Sequence, residues 1–288
     1  MAHEDLPVIP SDRSDDLHGL ETADSADLTV FLAGNQFMAA AGLMAAFQKS
    51  HPEVTRIFYE TLPPGLELKQ ILAGGARFGE TILTGRADVY TSVNEGSMKT
   101  LEAAGRIPAG GYRRYLGNRL TLMVPAGNPA GIRSVADLGG DAVRISQPDP
   151  DNEDIGGHIV EMYRRAGGEA LVRRIMEEKR ADGTTIYTTV HHRETPLSIQ
   201  KGTVDVGPVW ATEVIHARSE GLAVDEVAPG PDLDARDRIG YYSCVLADAP
   251  HPENAARFEA FLSSETAAEI YARYGFIPIR QAAGTSGL

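Results

Sequence analysis

The sequence predicts an α/β fold, because strand-like and helix-like segments alternate along most of its 288 residues. An apolar, β-prone run at 28–33 leads into a helical pattern that starts at Phe37. A second strand-like run, TRIFYET, leads into a helix that begins after Pro63-Pro64-Gly65. Strands that alternate with helices are typical of βαβ units and a mainly parallel sheet. In such sheets, ligands bind at the carboxyl ends of the strands.

The same alternation continues towards the C-terminus. Further strands are predicted at 88–94, 120–124, 143–148, 184–190, 204–210 and 241–246. Further helices are predicted at 98–104, 155–166, 169–179, 196–201, 253–261 and 264–274. Residues 1–27 are rich in Asp, Ser and Glu, a composition that predicts a loosely packed acidic tail. Residues 281–288 are expected to form a C-terminal tail.

Composition and charge exclude several classes of protein. Lys plus Arg is 27 and Asp plus Glu is 40, so the formal net charge is −13, whereas a nucleic-acid-binding protein needs a basic stripe. The single Cys244 excludes an internal disulfide and a cysteine-based zinc site. No apolar run approaches the ~20 residues that span a bilayer, so we expect no membrane insertion.

The N-terminal residues lack the basic and apolar regions of a secretory signal peptide. We therefore expect either a periplasmic or extracellular protein from which a signal peptide has been removed, or a cytoplasmic protein. The sequence also lacks the nucleophile elbow, the P-loop, the HExxH motif and the dinucleotide-binding glycine pattern. Cys244 lies in an apolar run, which favours a buried, inert thiol over a nucleophile. We predict no catalytic residues and no cofactor.

Candidate ligand-binding residues, most of them with small polar or amide side chains, lie at the ends of five predicted strands. In the first half they are Asn35 and Gln36, Thr61 and Gly65, and Ser92 and Asn94; in the second half they are Ser146 and Gln147, and Trp210. Backbone N–H groups at helix N-termini, with such side chains beside them, form anion sites. Each residue also has a simpler interpretation when it is considered alone. Asn35 can be a helix cap and Gly65 a turn residue. Trp210 can be either a core residue or the wall of a pocket. Together they predict a ligand site.

The most reactive cluster in the sequence is His191-His192-Arg193, which follows a predicted strand. Two imidazoles and a guanidinium can bind an oxyanion or a carboxylate. Adjacent histidines rarely bind one metal ion together, because their side chains diverge, and no cysteine partner is near. We therefore expect ligand contact here and no metal site, with a loop that has no role as the alternative.

Several stretches together resemble the type II solute-binding proteins of ABC importers, nearest to the molybdate-binding branch. They are LTVFLAGN, the turn before LELKQI, GRADVYTSVN, YLGNRLTLMVPAGNP and IQKGTVDVGPVWATE. The similarity of pattern extends from about Leu28 to Ile279. It implies two α/β lobes, each a mainly parallel sheet flanked by helices, with a ligand cleft between them. Lobe one is expected at 28–118 plus 240–280 and lobe two at 119–239, with crossover strands at 120–124 and 241–246.

The resemblance implies a monomeric substrate-binding protein that captures a small anionic solute for an ABC permease. Where the molybdate branch has hydroxyl groups, this chain has Asn35, Pro63-Pro64-Gly65 and Trp210. A carboxylate, a phosphorylated or sulfonated compound or a metal chelate therefore fits at least as well as molybdate. The alternatives are a cytoplasmic ligand sensor or carrier with this fold, and an enzyme adapted from the fold that uses His191 or His192.

Overall fold

The computed structural model describes residues 6–150, 153–188 and 194–279. The chain divides into two compact units. Unit 1 contains the described residues of Met1–Gly117, Gly240–Arg273 and Ile277–Leu288, and unit 2 contains those of Asn118–Ile239 and Tyr274–Phe276. Each unit has sheets and helices of its own.

Strands and helices alternate throughout the described residues, as the sequence predicts. The strands are β1 (Val8–Ile9), β2 (Leu17–His18), β3 (Leu28–Phe31), β4 (Ile57–Glu60), β5 (Gly75–Phe78), β6 (Thr81–Thr84), β7 (Val89–Ser92), β8 (Tyr112–Gly117), β9 (Leu120–Pro125), β10 (Ile145–Gln147), β11 (Thr185–Tyr187), β12 (Gly207–Trp210), β13 (Val224–Val227), β14 (Gly240–Val245) and β15 (Ile277–Pro278). The α-helices are α1 (Phe37–Ser50), α2 (Pro64–Ala73), α3 (Glu95–Ala103), α4 (Asp154–Arg173), α5 (Lys179–Ala181), α6 (Glu194–Gln200), α7 (Ala211–Ser219), α8 (Pro252–Phe261) and α9 (Glu265–Arg273). None of the helices described here has both the length and the apolar character needed to cross a bilayer.

Unit 1 is built on a seven-stranded sheet with the order β15-β8-β14-β7-β3-β4-β2. Strand β3 runs parallel to β4 and β7, and the other neighbouring pairs are antiparallel. The sheet is therefore mixed rather than mainly parallel, because β14 enters it from the residues that follow unit 2 and runs against both β7 and β8. Phe31, Phe58, Ile71 and Tyr90 are buried in the core of this unit.

The N-terminal residues do not form the loosely packed tail that their composition predicts. Strand β1 pairs with β5, and β2 covers the outer edge of β4. Ile9 and Leu17 are buried in the core of unit 1, so a few apolar side chains among the acidic ones anchor the described part of this segment, residues 6–27. Strands β5 and β6 form a hairpin that was not predicted from the sequence.

Unit 2 contains a three-stranded antiparallel sheet and a parallel strand pair. The sheet has the order β12-β9-β13, and β10 pairs with β11 in parallel. Met123, Ile199, Val209 and Val214 form part of its core. The two helices predicted at 155–166 and 169–179 are present, and the break between them lies at Gly167 and Gly168, where Gly168 has a φ of 67°.

Candidate functional site

The carboxyl ends of β3, β4 and β7 meet at one edge of the sheet in unit 1, since these three strands are parallel. Asn35, Thr61 and Ser92 follow or end these strands, so the structure brings three predicted site residues to this edge. Gly34 allows the close approach, because a Cβ atom at this position would lie 2.9 Å from the carbonyl oxygen of Thr61 and 3.0 Å from that of Leu62.

Asn35 lies in a short 3-10 turn, Gly34–Gln36, that leads directly into α1. Its side chain makes no capping hydrogen bond to the helix, so the simple cap interpretation is wrong. The residue is only 3% exposed, and its Nδ2 donates to the hydroxyl of Tyr241. Its Oδ1 is buried and has no hydrogen-bond partner among the described residues.

The neighbouring Gln36 is held in a hydrogen-bond network inside unit 1. Its Nε2 donates to Oγ1 of Thr91 at 3.0 Å, and its Oε1 accepts from the hydroxyls of Tyr115 at 2.9 Å and Tyr271 at 2.6 Å. Burial raises the pKa of Tyr115 to about 12, so both hydroxyl groups keep their protons. Gln36 therefore orients the turn that carries Asn35.

Thr61 is buried beneath the N-terminal segment. Its backbone N–H donates to the carbonyl oxygen of Asp16 at 2.9 Å, and its hydroxyl donates to Oδ1 of the same residue at 3.4 Å. Gly65 is exposed in the first turn of α2, and a Cβ atom there would meet no heavy atom within 4 Å. These two candidates therefore differ. Thr61 already forms hydrogen bonds with Asp16, whereas the backbone at Gly65 is accessible to a ligand.

Ser92 and Asn94 form the third strand end of this edge. The hydroxyl oxygen of buried Ser92 accepts from the backbone N–H of Asn94 at 3.4 Å. Asn94 caps α3, since its Oδ1 accepts from the N–H of Ser97 at 2.9 Å. The cap explains why α3 begins at Glu95, earlier than the predicted helix start.

In unit 2, Ser146 and Gln147 lie at the carboxyl end of β10, and both are buried. The hydroxyl of Ser146 lies 2.8 Å from that of Thr195. Oε1 of Gln147 accepts from the hydroxyl of Tyr163 at 2.6 Å, and its Nε2 donates to the carbonyl oxygen of Pro148 at 2.9 Å. Both side chains therefore hold adjacent segments of unit 2 in place.

Trp210 ends β12 and immediately precedes α7. Its side chain is 1% exposed, which makes it a core residue of unit 2, and its ring meets that of His158 edge to face at 6.0 Å between centroids. The predicted cluster His191, His192 and Arg193 lies outside the described residues.

Two acidic residues of unit 2 were not among the predicted candidates. Glu153, 7% exposed, accepts from the hydroxyl of Thr188, and burial raises its pKa to about 7. Glu213, 4% exposed, lies in the first turn of α7, and its pKa is well above the usual range because of burial and the neighbouring Glu153. Near neutral pH the carboxyl of Glu213 therefore keeps its proton, whereas that of Glu153 is protonated in about half of the molecules. A protonated carboxyl can donate a hydrogen bond as a hydroxyl group does.

The described residues show little that is suited to metal binding or nucleophilic catalysis. No group of three or more His, Cys, Asp or Glu side chains among them is placed to hold a metal ion. The Cys244 thiol is buried, and burial raises its pKa to about 12, so the thiolate needed for nucleophilic attack is not formed near neutral pH.

Comparisons with known proteins give a consistent assignment for most of the chain. Residues 28–277 match the family model described as bacterial extracellular solute-binding protein. The chain is 24% identical over 249 residues to YvgL, a candidate ABC transporter substrate-binding lipoprotein of Bacillus subtilis (strain 168), and the match covers 86% of this chain and 85% of that protein.

Solved structures show the same fold at low sequence identity. The periplasmic molybdate-binding protein of Azotobacter vinelandii has a TM-score of 0.67 at 17% identity, covering 88% of this chain and 100% of that one. The sulfate-binding protein SubI of Mycobacterium tuberculosis H37Rv has a TM-score of 0.67 at 20% identity, and the match covers 88% of this chain and 86% of that one. Iron-bound HitA of Pseudomonas aeruginosa has a TM-score of 0.68 at 18% identity, and the match covers 88% of this chain and 87% of that one.

Proposed function

Because the chain belongs to the bacterial extracellular solute-binding proteins, we propose that it captures a small anionic solute and delivers it to the permease of an ABC-type importer. The solute is an oxyanion, a carboxylate or a metal chelate. Its structural relatives include proteins that bind molybdate and sulfate and an iron-bound protein, and its relative YvgL is a candidate substrate-binding lipoprotein of an ABC transporter.

The observation that carries this proposal is the strand-end edge of unit 1. There the turn Gly34–Gln36 and helix α1 begin directly after β3. The first N–H groups of a helix have no partner within the helix and attract negative charge. Asn35 lies on this turn and Gln36 fixes it through Thr91, Tyr115 and Tyr271. A rigid, preorganised set of donors is what tight binding of a small anion requires.

The net charge of −13 supports local rather than long-range recognition. A negatively charged protein does not steer anions towards itself, so affinity depends on short-range donors. We propose that Glu153 and Glu213 belong to the ligand-contacting set of unit 2 in their protonated form, together with Ser146 and Arg193.

We further propose capture without catalysis, by a monomer that acts outside the cytoplasm. Units 1 and 2 are, in this proposal, the two lobes expected from the sequence. The buried Cys244 thiol, which is not placed to act as a nucleophile, supports binding over turnover.

A thermal-shift screen of the purified protein tests this function. Molybdate, sulfate, phosphate, citrate and ferric citrate are added separately over a range of concentrations. We expect one class to raise the melting temperature in a concentration-dependent manner, because a ligand that binds only the folded state stabilises it by mass action. Calorimetric titration then gives Kd and stoichiometry. A folded protein whose melting temperature responds to none of these compounds would refute the proposal.

A further inference from the structure

The side chain of Asn35 has one polar atom that nothing in unit 1 satisfies. Its Nδ2 is bound to the Tyr241 hydroxyl, whereas its Oδ1 is buried and accepts no hydrogen bond from any described residue. A buried acceptor without a donor costs about 1–3 kcal/mol. Native structures usually retain such a group only where a ligand, an ion or a water completes it.

The surroundings of this oxygen show why a ligand is the natural donor. Asn35 lies in the turn that begins α1, a helix of 14 residues, and the first N–H groups of that segment favour negatively charged oxygen atoms. The turn therefore carries backbone donors and, on Asn35, an unsatisfied side-chain acceptor. A ligand that matches both must carry anionic oxygens and, beside them, a hydrogen that it can donate.

We propose that the solute is a hydrogen-bearing oxyanion, and that Asn35 selects it by accepting its hydrogen at Oδ1. The inference rests on the proposed function and narrows its ligand class. Hydrogen phosphate has this chemistry near neutral pH. Sulfate and molybdate have only acceptor oxygens under the same conditions, and each would place a lone pair against Oδ1 of Asn35, which is unfavourable in a buried site.

Calorimetric titration of the wild-type protein with inorganic phosphate, sulfate and molybdate tests this selection. We expect phosphate to bind at least tenfold more tightly than either competitor, a difference of about 1.4 kcal/mol. Sulfate or molybdate binding as tightly as phosphate would overturn the inference and leave the proposed function intact. No binding by these anions or by the other compounds of the thermal-shift screen would refute both.

Two variants separate selection from simple structural support. Asn35→Leu has a similar shape and lacks the acceptor, so we expect it to lose at least tenfold in phosphate affinity and to bind sulfate at least as tightly as the wild type does. Tyr241→Phe is the matched control. It removes the hydroxyl to which Nδ2 of Asn35 donates but keeps Oδ1 of Asn35, so the preference for phosphate over sulfate should persist. Equal losses for phosphate and sulfate in Asn35→Leu would show that the amide donates to the ligand or only shapes the turn, and would overturn the inference. Thermal melting of each variant confirms that it is folded.

Discussion

The side-chain oxygen Oε1 of Gln36 accepts a hydrogen bond of 2.6 Å from the hydroxyl of Tyr271, although 235 positions separate the two residues. The same oxygen accepts from Tyr115, and the amide nitrogen donates to Thr91. The turn after β3 is thereby tied to β8, to β7 and to α9. Because these groups are all buried, the position of Asn35 depends on a network that water cannot replace.

We predict that Gln36→Leu lowers the free energy of unfolding by at least about 2 kcal/mol. The substitution leaves three buried hydroxyl groups without their amide partner, and each such loss costs about 1–3 kcal/mol unless the site relaxes. Urea denaturation measures the change. Tyr271→Phe is the matched control, since it removes one hydroxyl of the network and leaves the Gln36 amide in place, so it should cost less than Gln36→Leu, about 1 kcal/mol. A Gln36→Leu protein as stable as wild type would show that the network is not required.

Trp210 provides a second test, because the sequence alone leaves its role as core residue or pocket wall undecided. The structure buries it in unit 2 beside His158. Trp210→Ala should therefore cost about 3–5 kcal/mol of stability, as truncations of large buried aromatic residues do, and Trp210→Phe should cost less. Thermal and urea unfolding followed by circular dichroism measure both. A Trp210→Ala protein of normal stability but weakened solute affinity would instead make Trp210 a pocket wall.

Much of the fold can be predicted from the sequence, because apolar runs such as those that form β3 and β7 are continuous and end at polar residues. The hairpin of β5 and β6 was missed, since Arg77 and Thr81 interrupt its short apolar pattern. The N-terminal strands were missed for a related reason: the acidic composition of the segment hides Ile9 and Leu17, whose burial depends on partners distant in the sequence.

The positions of some candidate site residues in the fold could be predicted from the sequence. Asn35 and Thr61 could be identified because they follow parallel strands, whose ends meet at one edge of a sheet. Glu153 and Glu213 could not, since acidic residues at the N-cap or in the first turn of a helix are ordinarily solvated partners of the helix dipole. Their burial, and with it their raised pKa values, depends on tertiary packing. The engagement of Gln36 by two tyrosines likewise has no local signature.

A third prediction concerns the buried carboxylate of Asp88 in unit 1. It accepts from the backbone N–H of Thr29 at 2.7 Å, from the backbone N–H of His251 at 2.6 Å and from Nδ1 of His251 at 2.9 Å. Asp88→Asn replaces one of the acceptor oxygens by an NH2 group. In at least one of these contacts, two hydrogen-bond donors then face each other. We expect a loss of about 3 kcal/mol in urea denaturation, in line with other buried charged hydrogen bonds.

The control for Asp88→Asn is Glu253→Gln, which alters an exposed pair with Arg257. Exposed ion pairs contribute about 0–1 kcal/mol, so this variant should unfold almost as wild type does. Similar losses in the two variants would contradict the assignment of Asp88 as a structural anchor.

The last prediction concerns the pH dependence of stability, through Glu60 at the end of β4. This carboxyl is fully buried, and burial raises its pKa from the usual 4.5 to about 8, against the opposing effect of a hydrogen bond from Gln70. Between these two pH values the folded chain keeps the proton while the unfolded chain releases it. The unfolded state then binds fewer protons, so this group makes stability fall as pH rises, by up to about 1.4 kcal/mol per pH unit, until the folded pKa is passed.

Glu60→Gln should remove this dependence. The stability of the variant relative to wild type should therefore increase steadily between about pH 5 and pH 8, a range set by the two pKa values. Urea denaturation across this range measures the difference, with Glu80→Gln on the exposed surface as the control that should show no trend. A constant difference between Glu60→Gln and wild type would mean that folding does not raise the pKa of Glu60.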